Sequence, residues 1–146
     1  MSYSIADAAR YSGLSIDTLR YYERVQLIEP PARDSGGRRI YTDADLSWLE
    51  FLTKLRTTGM PIRRMHEYAV LRRQGMAGAG ARKRILAEQR TAVVERIAEL
   101  RSCLDALDYK IDNCERLERR MAASAAEDDT AEDDTREAET KEEVSA

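Results

Sequence analysis

The stretch GLSIDTLRYYER, residues 13–24, decides how the rest of the chain is read. Gly13 can take the positive φ of a tight turn, and Ser15 is a good N-cap, its hydroxyl accepting from a backbone N–H two or three residues on. A helix is therefore predicted to start at Ile16. Leu14 before the cap and Leu19 within the helix have the spacing of a hydrophobic staple, which fixes the angle at which the chain joins the helix. At about 100° per residue, Leu19 marks the buried side, with Ile16 and Glu23 within about 60° of it. Asp17, Tyr21 and Arg24 point the other way, Thr18 and Arg20 flank that outer face, and Tyr22 lies near its border with the core. A face carrying Ser15, Thr18, Arg20 and Tyr21 can donate hydrogen bonds to phosphates and base edges. The plainer alternative is a helix that its charged and aromatic residues merely solvate.

The preceding segment supplies a partner for this helix. Ser4 and Asp7 form a variant capping box, and Ile5, Ala8 and Ala9 give a short helix whose small inner residues allow close approach. With the turn at Ser12 and Gly13, the two make a helix-turn-helix. Downstream, Pro30 and Pro31 end any helix and favour an extended path. Residues 32–41, ARDSGGRRIY, then place Asp34, Ser35, Gly36 and Gly37 between short flanks, the pattern of a tight β-hairpin, with a flexible basic loop as the alternative. Alternation sends Arg39 and Tyr41 to one side of the hairpin and Arg38 to the other.

Thr42 and Asp43 offer an N-cap for a helix from about Ala44 to Thr58, with Leu46, Leu49, Leu52 or Thr53, and Leu55 inside. Gly59 ends it, and Pro61 opens another helix through Ile62, Met65, Tyr68 and Leu71 to about Arg73. Arg56, Arg63 and Arg64 are candidates for phosphate contact, against the plainer reading of a solvated face. His66 is the one histidine in the chain and has no companions at ligand spacing, so it reads as an ordinary residue. Residues 74–80 hold three glycines and read as a hinge loop.

From residue 81 to 121 there is no Pro or Gly, and a continuous helix there would be about 60 Å long. Leu86, Val93, Leu100, Leu107, Cys114 and Met121 recur every seven residues, and Ile97, Leu104 and Ile111 form a second series, so the pattern is a coiled-coil seam. Pairing with a second copy in a homodimer is the economical way to bury it. Residues 122–146 are Ala, Glu, Asp, Thr and Ser with almost no large apolar side chain, a composition that predicts disorder. A solubilising tail is the simple reading; competition with DNA for a basic face is the sharper one.

Composition bounds the class. The chain has 146 residues, a 42% hydrophobic fraction and a net charge of -3. No apolar run approaches the roughly 20 residues of a membrane span, and the polar N-terminus lacks a secretory signal, so an intracellular, cytoplasmic protein is expected. The charge is unevenly spread: up to Met121 there are 22 Lys and Arg against 17 Asp and Glu, and after it 2 against 10. The body is thus mildly basic despite the acidic total. Cys103 and Cys114 would lie about 16 Å apart on one helix, beyond the reach of an intrachain disulfide, and read as reduced thiols. Neither has a His or Cys neighbour at metal-ligand spacing, so no metal site and no cofactor are expected. With one histidine and no acid, base and nucleophile constellation, an enzyme is not indicated.

The order of helix-turn-helix, basic wing, helical pair and dimerising helix resembles the MerR family of bacterial transcriptional regulators. The resemblance is carried by SIADAARYSGLS (residues 4–15), TLRYYERVQLIEP (18–30), GGRRIY (36–41) and LRTTGMPI (55–62), and covers roughly residues 3–120. It implies a mainly α protein with a winged helix-turn-helix over residues 1–73, followed by a long antiparallel coiled-coil dimerisation helix over 81–121. It further implies that Arg20 and Tyr21 contact double-stranded promoter DNA with Tyr22 at the same helix's edge, that Arg39 and Tyr41 clamp phosphates, and that Arg56 reaches the backbone. Members bind pseudo-palindromic operators and distort overlong promoter spacers so that RNA polymerase can engage. Such a deformation costs about 1 to 6 kcal/mol, which a modest effector preference can tip.

Two departures stand out. Gln26 replaces the family's usual glycine before Leu27 and Ile28. After the seam, the cysteine-bearing loop of metal-sensing members and the ligand domain of drug-sensing members are replaced by the acidic tail. Aldehyde-responsive relatives carry a cysteine where this chain has Leu55. A small apolar effector between the dimer helix and the helical pair is compatible with the sequence, which does not identify one. The competing reading is a coiled-coil interaction module without sequence-specific DNA binding.

Overall fold

The computed structural model describes residues 1–144. In chain order it holds α1 (Ile5–Ser12), α2 (Ile16–Arg24), β1 (Ala32–Arg33), β2 (Arg39–Ile40), α3 (Asp43–Thr57), α4 (Ile62–Arg73), a 3₁₀ turn (Gly75–Gly78) and α5 (Ala79–Val144). The helices start where capping chemistry places them. The Ser4 hydroxyl accepts from Asp7 N while the Asp7 carboxylate accepts from Ser4 N, and Thr42 and Asp45 make the same reciprocal pair at α3. Gly13 closes α1 at φ 74°, a left-handed value that an L side chain adopts only under strain.

One apolar core fills the first unit of the chain, Met1–Glu95. Leu19 of α2 is fully buried, and α3 contributes Leu46, Leu49, Leu52 and Leu55, as the helical period predicts. Fully burying one such leucine contributes about 1.5–3 kcal/mol. Trp48 is also inside, where the expected inner face omitted it. Its indole N–H donates to the Leu27 carbonyl at 3.0 Å, and its ring stacks on Tyr68 of α4 at 5.9 Å between centroids. This bond ties the turn after α2 to α3, so the recognition-type helix is held at both ends.

The hairpin is formed. Its strands are antiparallel, with Ala32 opposite Ile40 and Arg33 opposite Arg39. The Asp34 carboxylate accepts from the backbone N–H of Gly36 and of Arg38, each at 2.9 Å, and so organises the tip. Tyr3 adds a bridge on the far side, exchanging two 2.8 Å backbone hydrogen bonds with Tyr41. The N-terminal segment therefore braces the base of the wing.

Three expectations change. Residues 74–80 are not a hinge loop: they form the 3₁₀ turn and the start of α5, and Gly78 packs so tightly that a Cβ there would meet the Leu71 carbonyl oxygen at 2.2 Å. Gly78 serves this close approach. Of residues 122–146, expected to be disordered, the last two lie outside the described residues, and residues 122–144 continue α5 to Val144. They remain exposed through Lys141, and the helix follows from Ala- and Glu-rich composition without Pro or Gly, not from burial. Leu86, read as the start of the seam, instead packs against its own chain's core beside Ile85, which is 5% exposed. The first turns of α5 are anchored to α3 and α4: Glu88 pairs with Arg64, and the Gln89 side chain donates to Thr58.

In the second unit, from Arg96 onward, α5 stands as a single exposed helix. Ile97, Leu100, Leu104, Leu107 and Ile111 are each between 43% and 60% exposed. Cys103 and Cys114 are free and exposed. No described helix is long and apolar enough to cross a membrane.

Candidate nucleic-acid interface

The outer face of α2 is assembled by its cap. The Ser15 hydroxyl accepts from Thr18 N at 3.0 Å and lies 2.8 Å from the Thr18 hydroxyl, so both side chains shape the first turn of the helix. Arg20 is exposed and only loosely held by Asp17 at 3.7 Å. Tyr21 is 37% exposed, with the Arg24 guanidinium over its ring at 5.5 Å. That stacking keeps a cation and an aromatic ring side by side on the solvent face.

The wing is bound to this helix through one ion pair that the sequence reading did not pick out. Arg39 donates its Nε–H to the Glu23 carboxylate at 2.7 Å, with side chains 24% and 17% exposed. The Glu23 hydrogen bond first of all, with its charge adding, holds the Arg39 guanidinium protonated above its ordinary range. Because the bond uses Nε, the terminal guanidinium nitrogens keep their donors for another acceptor. The signal in the sequence was a carboxylate placed on the Leu19 side of an amphipathic helix, where a charge needs a partner.

Two tyrosines expected at the DNA surface are core residues. Tyr22 is 3% exposed, because it lies close enough to the Leu19 side to be covered. Tyr41 is 1% exposed, its hydroxyl is enclosed, and burial raises its pKa. The alternation that grouped Tyr41 with Arg39 carried no information on depth, and Tyr41 is buried where the chain passes from the hairpin straight into the Thr42 cap of α3. The exposed cations of the wing are Arg33 and Arg38. Arg38 is exposed, its backbone N–H fixed by Asp34, and Arg33 donates to the Gly37 carbonyl at 2.6 Å across the hairpin.

On the helical pair, Arg56 is exposed in the last turn of α3 and forms no ion pair among the described residues. Arg64 does not share that freedom: it pairs with Glu67 at 2.8 Å and with Glu88, which makes it a structural tie to α5. The turn between α2 and β1 is held by Arg73, which donates to the Gln26 carbonyl and lies 3.6 Å from Glu29. Gln26 itself sits at φ 62°, the left-handed conformation for which glycine is suited. Among the described residues, no group of His, Cys, Asp and Glu is placed to hold a metal ion.

A basic helix face, a wing tethered to it and an arginine beyond are thus presented on one folded unit. Residues 3–70 match the family described as MerR HTH family regulatory protein, and residues 46–110 match the family described as MerR, DNA binding. The chain belongs to the MerR family. Among its relatives, the HTH-type transcriptional regulator AdhR of Bacillus subtilis is 42% identical over 92 residues, 63% of this chain and 66% of AdhR. An HTH-type transcriptional regulator of Haemophilus influenzae is 37% identical over 111 residues, 76% of this chain and 82% of that protein. Among solved structures, HiNmlR, a MerR family regulator lacking the sensor domain and bound to promoter DNA, superposes with a TM-score of 0.71 at 37% identity, covering 76% of this chain and 84% of that one. This MerR-family chain is a DNA-binding transcriptional regulator with a winged helix-turn-helix.

Proposed function

We propose that this MerR-family regulator binds a pseudo-palindromic promoter operator as a homodimer and controls transcription by distorting the DNA between the promoter elements. The observation that supports the reading is the Arg39–Glu23 bond, which ties the wing to α2. In this reading Arg20 and Tyr21 meet base edges and adjacent phosphates, Ser15 and Thr18 fix the N-terminus of the reading helix, and Arg38, Arg39 and Arg56 hold the sugar-phosphate backbone. The seam of Val93, Ile97, Leu100, Leu104, Leu107, Ile111 and Cys114 pairs two copies, which a two-fold operator requires. The protein acts in the cytoplasm, meets RNA polymerase through the promoter and performs no catalytic step. A signal that the sequence does not identify sets the balance between the relaxed and distorted DNA.

The test is a gel shift with the DNA upstream of its own gene and a scrambled duplex, for wild type and for Arg20→Ala with Tyr21→Ala, across a salt series. The expected result is tight binding that prefers the upstream DNA, weakens with salt, and loses its preference in the double variant. Equal retardation of both duplexes by the wild type would overturn the reading.

A further inference from the structure

Charge is distributed along α5 in two opposed blocks. Residues 82–90 hold Arg82, Lys83, Arg84 and Arg90 against the single acid Glu88, which Arg64 already engages. Residues 127–134 hold Glu127, Asp128, Asp129, Glu132, Asp133 and Asp134 and no base. Neither the four cations nor the six acids form an ion pair among the described residues. Beside the basic block lies an open groove of about 410 Å³, floored by Tyr68, Leu86 and Ala87 and rimmed by Arg82, Lys83 and Arg90.

We propose that this groove is the docking site for the acidic stretch, residues 127–134, of a second copy of the chain. The proposal rests on the homodimer reading above and adds a contact outside the seam. A parallel pair of α5 helices would set each block against its own kind; an antiparallel pair sets each against its opposite. The seam runs from Val93 to Cys114, so antiparallel pairing along its full length brings the second copy's Cys114 beside Val93 and, one heptad on, its Met121 beside Leu86. One heptad further, the second copy's Asp128 lies beside Ala79, within about one helical turn of Arg82 and Lys83. Their long side chains can reach back to it while their stems stay on the apolar floor. The unbroken helix through Val144 carries the acids past the end of the seam instead of letting them trail into solvent. The docking covers Leu86 on its groove side and sets the helix direction by charge as well as by packing.

Analytical ultracentrifugation of the full chain tests this, with wild type, Lys83→Glu plus Arg90→Glu, Asp128→Lys plus Asp129→Lys, and all four changes together. At low salt each double reversal should weaken dimerisation about tenfold, the fourfold variant should recover most of it, and about 0.5 M salt should erase the differences. Reversed variants that dimerise like wild type at low salt sink the docking and leave the seam dimer standing. A wild type that stays monomeric at every concentration sinks the homodimer itself. If reversing the acids leaves dimerisation unchanged but alters operator affinity, the acidic stretch serves the DNA face and the proposal fails.

Discussion

Two residues carry more of the site than their chemistry suggests alone. An ionised Glu23 carboxylate has no donor to offer a phosphate, yet it holds the Arg39 side chain against α2. Glu23→Gln keeps the shape and removes the charge, so thermal unfolding should show a loss of about 1 kcal/mol and operator binding should weaken several-fold. Unchanged affinity in a titration of labelled operator would show that the wing needs no tether. Gln26 presents the opposite case, a residue held in the left-handed region by its surroundings, including the Arg73 bond to its carbonyl. Gln26→Gly relieves that strain against the greater freedom of glycine in the unfolded chain, and urea denaturation should show a net gain of roughly 0.5 kcal/mol with unchanged m-value. The sequence marked Gln26 as unusual; only the backbone shows that the turn keeps the glycine-like conformation without the glycine.

At the level of elements, the junction between α4 and α5 is where reading by composition misled. Three glycines suggested a hinge, but two of them behave in opposite ways. Gly78 is pressed against the Leu71 backbone, whereas a Cβ at Gly80 would meet nothing within 4 Å. Gly78→Ala should therefore destabilise by about 1–3 kcal/mol, and Gly80→Ala should stabilise by up to about 1 kcal/mol as a helix-interior replacement. Urea titrations of the two variants side by side decide it: equal effects would mean the junction is a loose linker after all. Caps behaved better than glycines as sequence signals. Ser4 with Asp7, Ser15, and Thr42 each start a helix, with Asp45 and not Asp43 as the partner of Thr42, because a cap is a local bond between neighbours and depends little on the rest of the fold. The tail shows the converse, since low hydrophobicity predicts absence of burial, which holds through Lys141, but does not forbid a solvated helix.

For the whole molecule, the proposed homodimer rests on the exposed apolar series of α5. A carboxylate at Leu104, which is 55% exposed in the single chain, removes seam burial without touching the first unit's core. Leu104→Glu should yield a folded monomer by ultracentrifugation and reduce operator affinity by at least tenfold, because one half-site replaces two. A dimeric Leu104→Glu protein would move the interface elsewhere. By itself, the sequence determined the order of elements, most helix starts, the heptad spacing of apolar residues along α5 and the outward face of α2 at Arg20 and Tyr21, since these depend on neighbours within a few residues or on simple periodicity. Only the tertiary structure decided which candidates reach solvent. Tyr22 and Tyr41 were drawn into the core, Arg64 was taken by Glu67 and Glu88, and Arg39 was joined to Glu23 sixteen positions away. Depth and partnership arise from elements distant in sequence packing together, and no local pattern in the chain encodes them.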